Sequence, residues 1–158
     1  MDNEIRIELV QLENYRFEAH FEGTALPVLT TDEPSPLGGD AGPNPTRLLT
    51  VAVANCLSAS LLFAMRKFRN EPGPLRTEAT ASLARNAEGR WRVGGIAVTI
   101  RLGVPWEALR SPGRVLAQFE EFCVVTQSVR VAIPVDVQVL DTAGQRLPPG
   151  ASDTAQSQ

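Results

Sequence analysis

The chain has 158 residues, of which 43% are apolar and 21% are charged, so it resembles an ordinary globular protein with one sizeable core. Its formal net charge of −3 does not favour binding to nucleic acid, which requires a basic face. One histidine and two cysteines are too few for a closed zinc site in one chain, and we expect no metal. The chain opens without a signal-peptide pattern, so the cytoplasm is the default location.

The first predicted elements are strands. Residues 4–10 alternate between apolar and charged side chains, and residues 15–22 do the same, which predicts a hairpin of half-buried strands. Residues 26–30 predict a short third strand. Residues 31–45 contain four prolines and three glycines, which excludes regular structure. We expect this loop to be ordered and to line a site, because it leads directly into the longest helix.

The central predicted element is a helix from Pro45 to Phe68. Asn44 is a suitable N-cap, and proline suits the first helical position. No charge occurs between Leu48 and Met65, and apolar residues lie on most sides, which is typical of a helix buried nearly all round. The length also fits a membrane span. Polar residues interrupt it, so we interpret it as the core helix of a soluble protein and expect no membrane contact. These residues are Thr50, Asn55, Ser58 and Ser60.

Strands and helices alternate in the rest of the chain. The predicted strands are residues 77–85, 90–102 and 131–140, and the predicted helices are residues 105–122 and 123–128. Residues 86–89 form the hairpin turn, and Gly94-Gly95 predicts a bulge that shifts the register. We therefore predict an α+β fold with one domain over residues 1–143 and a flexible polar tail over residues 144–158.

The two cysteines are the residues best suited to chemistry. Cys56 lies on the apolar face of the central helix, where a small buried core residue is the simpler interpretation. Cys123 opens a predicted helical turn, and a helix N-terminus stabilises a thiolate, although Glu120 and Glu121 oppose this. Cytoplasmic cysteines are usually reduced, so a pair is either redox-active or merely buried. The residues alone leave both alternatives open.

The segment Gly42-Pro43-Asn44-Pro45 with Cys56 downstream, and Cys123 followed by Ser128 and a valine-rich strand, resemble the OsmC/Ohr family. The resemblance covers about residues 4–141. It implies an OsmC-like α+β fold with antiparallel sheets, in which long central helices pack across an intertwined homodimer. This agrees with a helix whose apolar surface is larger than one small chain covers.

The resemblance also implies a thiol peroxidase that reduces organic hydroperoxides in the oxidative stress response, with no cofactor. By position, Cys56 matches the attacking cysteine and Cys123 the resolving one. A thiolate that attacks an O–O bond becomes a sulfenic acid, which a second thiol converts to a disulfide. An external dithiol then reduces the disulfide, and a lipoyl-type dithiol on a partner protein is typical of the family. The alternative is a non-enzymatic or divergent OsmC-like dimer that binds a small apolar ligand.

The chain departs from the family pattern at the start of the central helix. The family commonly has a glutamate there that helps hold an arginine over the thiolate, whereas this chain has Thr46 and Arg47. Arg47 precedes Cys56 by nine residues, or about 180° around a helix, so it could act only on a partner subunit.

Another group must therefore supply the positive charge. We expect Cys56 to need a cation, because an apolar setting raises the pKa of a thiol. The family's arginine comes from the N-terminal strands, where Arg16 is the counterpart; an exposed strand residue is the alternative interpretation. Asp32 and Glu33 are candidates to replace the missing glutamate, and solvated loop acids are the alternative.

Overall fold

A computed structural model of the chain describes residues 3–148, which form two compact units, residues 3–49 and residues 50–148. The central helix α1, Pro45–Lys67, begins in the first unit and continues into the second. The prediction of one domain over residues 1–143 stays a prediction.

The first unit contains a three-stranded antiparallel sheet in the order β1-β2-β3. Its strands are β1 Ile7–Glu13, β2 Arg16–Phe21 and β3 Leu29–Thr31. A tight turn with Asn14 at a φ of 48° joins the first two strands. Alternation predicted that β1 is half-buried, but all of its residues are exposed, because no described residue covers either face of this edge strand.

The loop after β3 is closed by hydrogen bonds to one carboxylate. Asp32 is buried, and its Oδ2 accepts hydrogen bonds from the backbone N–H groups of Gly39, at 2.9 Å, and Ala41, at 3.1 Å. Gly42 lies so close to the backbone of Thr30 that a Cβ atom would collide with its carbonyl group. The loop therefore has a specific conformation that only glycine allows at this position.

Helix α1 begins as the sequence predicts. The Oδ1 of Asn44 accepts a hydrogen bond from the backbone N–H of Arg47 at 3.0 Å, which caps the helix. The helix contributes large buried side chains to the second unit, and the three largest are Leu57, Leu61 and Met65. By length and composition alone this helix could also cross a membrane, but its buried side chains are compatible with the core helix of a soluble protein.

The second unit contains a three-stranded sheet in the order β4-β5-β6. Its strands are β4 Arg76–Arg85, β5 Trp91–Arg101 and β6 Val135–Leu140. The predicted bulge is confirmed, because Ser82 pairs with Gly95 and Leu83 pairs with Val93, which leaves Gly94 as the extra residue. The strands β4 and β5 are antiparallel, whereas β6 is parallel to β5. The long helical crossover from β5 to β6 permits this parallel pairing.

The crossover is more broken than predicted. The single helix expected over residues 105–122 is wrong, because Ser111 adopts a left-handed conformation with φ of 47° before Pro112. A proline disfavours helical geometry in the residue before it, so no helix runs through this point. The segment instead forms a 3₁₀ turn Trp106–Ala108, helix α2 Pro112–Gln118, a 3₁₀ turn Phe119–Phe122 and helix α3 Val124–Val129.

The start of the predicted tail is held by hydrogen bonds. The Nε1 of Trp106 donates to the carbonyl oxygen of Gln145 at 2.8 Å, and the Nη2 of Arg146 donates to the Oε1 of Gln138 at 2.7 Å. Hydrogen bonding thus extends beyond residue 144, where the flexible tail was predicted to begin. Residues 149–158 of that tail lie outside the described residues.

Candidate functional site

The structure brings the two cysteines together. Cys56 lies in the middle of α1 and is half-buried, whereas Cys123 lies at the joint between the second 3₁₀ turn and α3 and is fully buried. Both are free thiols, and their side chains are hydrogen bonded to each other. The two sulfur atoms therefore lie within hydrogen-bonding reach of each other.

Several donors surround the sulfur of Cys56. Burial raises the pKa of Cys56, but hydrogen bonds from the Cys123 side chain, from the backbone N–H groups of Val125 and Thr126 and from the Ser60 hydroxyl outweigh it. The pKa of Cys56 consequently lies below its ordinary value. These bonds favour the thiolate over the thiol, because each donor interacts better with a negative charge.

The pKa of Cys123 shifts in the opposite direction. Burial raises the pKa of Cys123, and so does its hydrogen bond to Cys56, while bonds to the side chain and backbone of Thr126 act against them. The Sγ of Cys123 lies 2.9 Å from the Oγ1 of Thr126. The pKa of Cys123 lies above its ordinary value, so Cys123 holds its proton more tightly than Cys56 does.

The N-terminus of α3 acts on a different cysteine from the one that the sequence suggested. We expected it to stabilise a thiolate at Cys123, but the N–H groups of Val125 and Thr126 both donate to Cys56. Cys123 is the N-cap residue, with an extended backbone at φ of −86° and ψ of 92°. The first turn of α3 therefore lies against the sulfur of Cys56 on α1.

Exposed apolar side chains flank Cys123, and another, Phe63, lies seven residues after Cys56 on α1. Phe122 and Val124 adjoin Cys123 in the chain, and both are exposed. The rings of Phe122 and Phe63 meet edge to face, with 5.3 Å between their centroids. Lys67 Nζ lies 5.4 Å from the Phe122 centroid. These residues offer apolar surface on both elements that carry the thiols.

Arg16 belongs to the first unit, where its direct partner is an acid that sequence reasoning missed. Its Nη2 lies 2.8 Å from the Oε1 of Glu13, and the two residues face each other across the β1–β2 hairpin. The predicted turn at Glu13-Asn14 was a signal for this pairing. The Nε of Arg16 is buried and has no hydrogen-bond partner among the described residues. A role for Arg16 at Cys56 stays a prediction.

The two candidate loop acids have structural partners. Backbone N–H groups of Gly39 and Ala41 hold the pKa of Asp32 below its usual value, and burial acts against them. The charge of Arg16 contributes in the same direction as the N–H groups. The Oε2 of Glu33 accepts a hydrogen bond from Asn44 at 3.2 Å. Asp32 is thus near enough to Arg16 to interact with it, although Glu13 makes the ion pair.

The positions that replace the family glutamate are also engaged. The Nη1 of Arg47 lies 3.3 Å from the Oδ1 of Asp40 in a half-exposed ion pair. Thr46 has a partner as well. Within residues 3–148, no cluster of three or more histidine, cysteine or acidic side chains could hold a metal ion.

Comparison with known proteins extends the resemblance found in the sequence. The family model for the OsmC-like protein matches residues 38–138, which is more than half of the chain and includes both cysteines. A comparison with curated proteins gives no significant match.

Solved structures share the fold at low sequence identity. An OsmC-like protein of unknown function from Vibrio cholerae superposes with a TM-score of 0.73 at 16% identity, over 87% of this chain and 99% of that one. An organic hydroperoxide resistance protein OsmC from Legionella pneumophila gives 0.67 at 17% identity, over 88% and 98%. The organic hydroperoxide resistance protein OhrB of Bacillus subtilis gives 0.64 at 16%, over 86% and 97%. With the family match, these superpositions confirm the predicted OsmC-like α+β fold, and the chain belongs to the OsmC family.

Proposed function

We propose that this protein is a thiol peroxidase that reduces organic hydroperoxides, with Cys56 as the attacking and Cys123 as the resolving cysteine. The observation that carries the proposal is the hydrogen-bonded pair of thiols whose pKa values shift in opposite directions. Membership of the OsmC family supports a redox-stress role, as do the names of two similar structures, which are organic hydroperoxide resistance proteins.

The geometry supports a mechanism in two steps. The Cys56 thiolate attacks the terminal oxygen of the hydroperoxide, the O–O bond breaks, and the products are a Cys56 sulfenic acid and an alkoxide. Cys123 holds the nearest thiol proton, which converts the alkoxide to an alcohol. The resulting Cys123 thiolate attacks the sulfenic sulfur, a disulfide forms, and hydroxide leaves and is protonated to water. The peroxide is reduced by two electrons and the two thiols are oxidised.

An external dithiol completes the cycle by thiol–disulfide exchange. Its two thiols become a disulfide while Cys56 and Cys123 return to the reduced state. We assign this role to a lipoyl-type dithiol on a partner protein and place the reaction in the cytoplasm, where such reductants are available. The exposed rings of Phe63 and Phe122 near the thiols favour substrates with an apolar organic group.

Arg16 is the proposed positive charge for the first step. A guanidinium group supplies a positive charge, and the buried Nε of Arg16 has no hydrogen-bond partner among residues 3–148. Substituting Arg16→Ala should slow oxidation of Cys56 at least about tenfold, which corresponds to about 1.4 kcal/mol of barrier.

We further propose that the active form is a homodimer. All residues of β1 are exposed, among them Ile7 and Leu9, and so are Val51 and Phe63 on α1. A second subunit that covers these exposed apolar side chains would stabilise the assembly. Sedimentation should give a dimer mass in dilute solution, and a folded monomer would contradict the proposal.

The direct test uses two variants and cumene hydroperoxide. Cys56→Ser should abolish turnover, whereas Cys123→Ser should allow one oxidation and then stop at the sulfenic acid, which dimedone labels. In the wild type, one equivalent of hydroperoxide should remove both titratable thiols. Wild-type activity in Cys56→Ser would contradict the assignment of the two roles.

The alternative function is binding of a small apolar molecule without chemistry. The observation that favours it is a groove of about 560 Å³ along α1. It is lined by apolar side chains that include Leu62, Leu75 and Val104, and it does not include the cysteines. A wild-type protein that reacts with no hydroperoxide would favour this alternative.

A further inference from the structure

A half-buried ion pair closes the segment that carries Cys123. The Nη2 of Arg130 lies 2.6 Å from the Oε2 of Glu120, and both side chains are 34% exposed. Gln127 Nε2 donates to the Glu120 carbonyl oxygen at 3.1 Å. Arg130 also donates to the carbonyl oxygen of Val135, at the start of β6, at 3.3 Å. We call Glu120, Gln127 and Arg130 the clamp.

The clamp encloses most of the groups that act on Cys56. Of the four named groups that donate hydrogen bonds to Cys56, three lie between Glu120 and Arg130. These are the Cys123 side chain and the backbone N–H groups of Val125 and Thr126. Ser60 is the fourth, and it belongs to α1 itself. The helical conformation is interrupted inside the clamp, because Cys123 has an extended backbone between a 3₁₀ turn and a short helix. Neither element is long enough to fix the position of the other by itself.

We propose that the clamp is a positioning element of the thiol site, and that Glu120 and Arg130 hold Cys123 and the first turn of α3 in hydrogen-bonding contact with Cys56. A charge-assisted bond of this length in a half-buried setting is stronger than a neutral one. The inference rests on the proposed function for its catalytic meaning. Its test measures the ionisation of Cys56 and needs no hydroperoxide, so the two can fail separately.

Substitutions of the two members of the ion pair distinguish a positioning effect from the direct effect of their charges on the pKa of Cys56. Glu120→Gln removes a negative charge near a thiolate, which by charge alone would lower the pKa of Cys56. Arg130→Met removes a positive charge, which by charge alone would raise it. If the clamp acts by position, both variants displace the donors and both raise the pKa of Cys56.

The experiment follows the alkylation of Cys56 by iodoacetamide as a function of pH, with the labelled site identified by peptide mapping. In both variants we expect the profile to move to higher pH by about one unit, so that alkylation below the pKa slows about tenfold. The rate at high pH, where the thiol is fully ionised, should remain that of the wild type. The other charged side chains near this site, Lys67 and Glu121, are the same in both variants.

Glu121→Gln is the matched control. It removes the same charge from the exposed neighbouring residue and should leave the profile where it is in the wild type. The exchanged double variant Glu120→Arg/Arg130→Glu restores an ion pair and should recover most of the wild-type profile. If a single variant fails to fold, this double variant still tests the proposal. Shifts of opposite sign in the two single variants, or profiles that match Glu121→Gln, would overturn the proposal.

Discussion

Ser60→Ala tests whether hydrogen bonds, without a charge on the same helix, make Cys56 acidic. Ser60 lies one turn after Cys56 on α1, is buried, and its hydroxyl lowers the pKa of that thiol. A hydrogen bond to a charged group contributes about 1.5–3 kcal/mol, and sulfur is a weak acceptor, so we take about 1.4 kcal/mol for this bond. The loss should therefore raise the pKa of Cys56 by about one unit.

The assay is the pH dependence of Cys56 alkylation in the reduced protein. Below the pKa, the variant should react about ten times more slowly, because its thiolate fraction is about ten times smaller. Above the pKa, both proteins should react equally. Alanine is a better helix former than serine by about half a kcal/mol, so unfolding of α1 cannot explain a slower rate.

Ser58→Ala is the matched control on the same helix. The Ser58 hydroxyl donates to the carbonyl oxygen of Ala54 at 2.8 Å and lies 2.6 Å from the Oγ1 of Thr77. It is absent from the groups that lower the pKa of Cys56, so its removal should leave the profile unchanged. Superposable profiles for Ser60→Ala and Ser58→Ala would refute the reasoning.

Two further substitutions test buried hydrogen bonds, one inside each unit. Asp32 has a lowered pKa when folded, so its bonds to Gly39 and Ala41 stabilise the protein above the unfolded pKa of about 3.9 and lose this effect as pH falls through the folded value. Asp32→Asn should therefore lower Tm at pH 7 and much less at about pH 2; an equal loss at both would contradict this. Asn70 is buried and exchanges two bonds with the backbone of Arg110, at 2.9 and 2.7 Å, so Asn70→Ala should lose about 2–3 kcal/mol in urea unfolding. A loss below about 0.5 kcal/mol would show that this contact is dispensable.

Local signals predicted most of the elements. Asn44-Pro45 marked the start of α1, and period-two alternation marked the strand hairpins. Gly94 marked the bulge because a glycine pair interrupted that alternation. The errors came from long-range or steric effects. Pro112 overrode an apparently continuous helical pattern, and only the crossover of the folded chain determines that β6 runs parallel to β5.

The site was less accessible to sequence reasoning than the fold. Each cysteine taken alone fitted a buried core position, and the resemblance to a family was needed to treat them as a pair. Backbone N–H groups at Val125 and Thr126 leave no mark in side-chain identity, so their bonds to Cys56 could not be foreseen. The pairing of Glu13 with Arg16 depends on hairpin register, which alternation defines only approximately.

The hydrogen bonds at Cys56 bear on the missing family glutamate. The sequence shows an apolar helix without a nearby charge, which predicted that Cys56 could act as a nucleophile only with a cation from outside that helix beside it. The structure lowers its pKa by donors of a different kind, namely a neighbouring thiol, a hydroxyl and two backbone N–H groups. Neutral donors stabilise a thiolate without requiring an arginine to be held in place. The substitution at Thr46 and Arg47 therefore removes one means of positioning a cation, while the hydrogen bonds that favour a Cys56 thiolate remain.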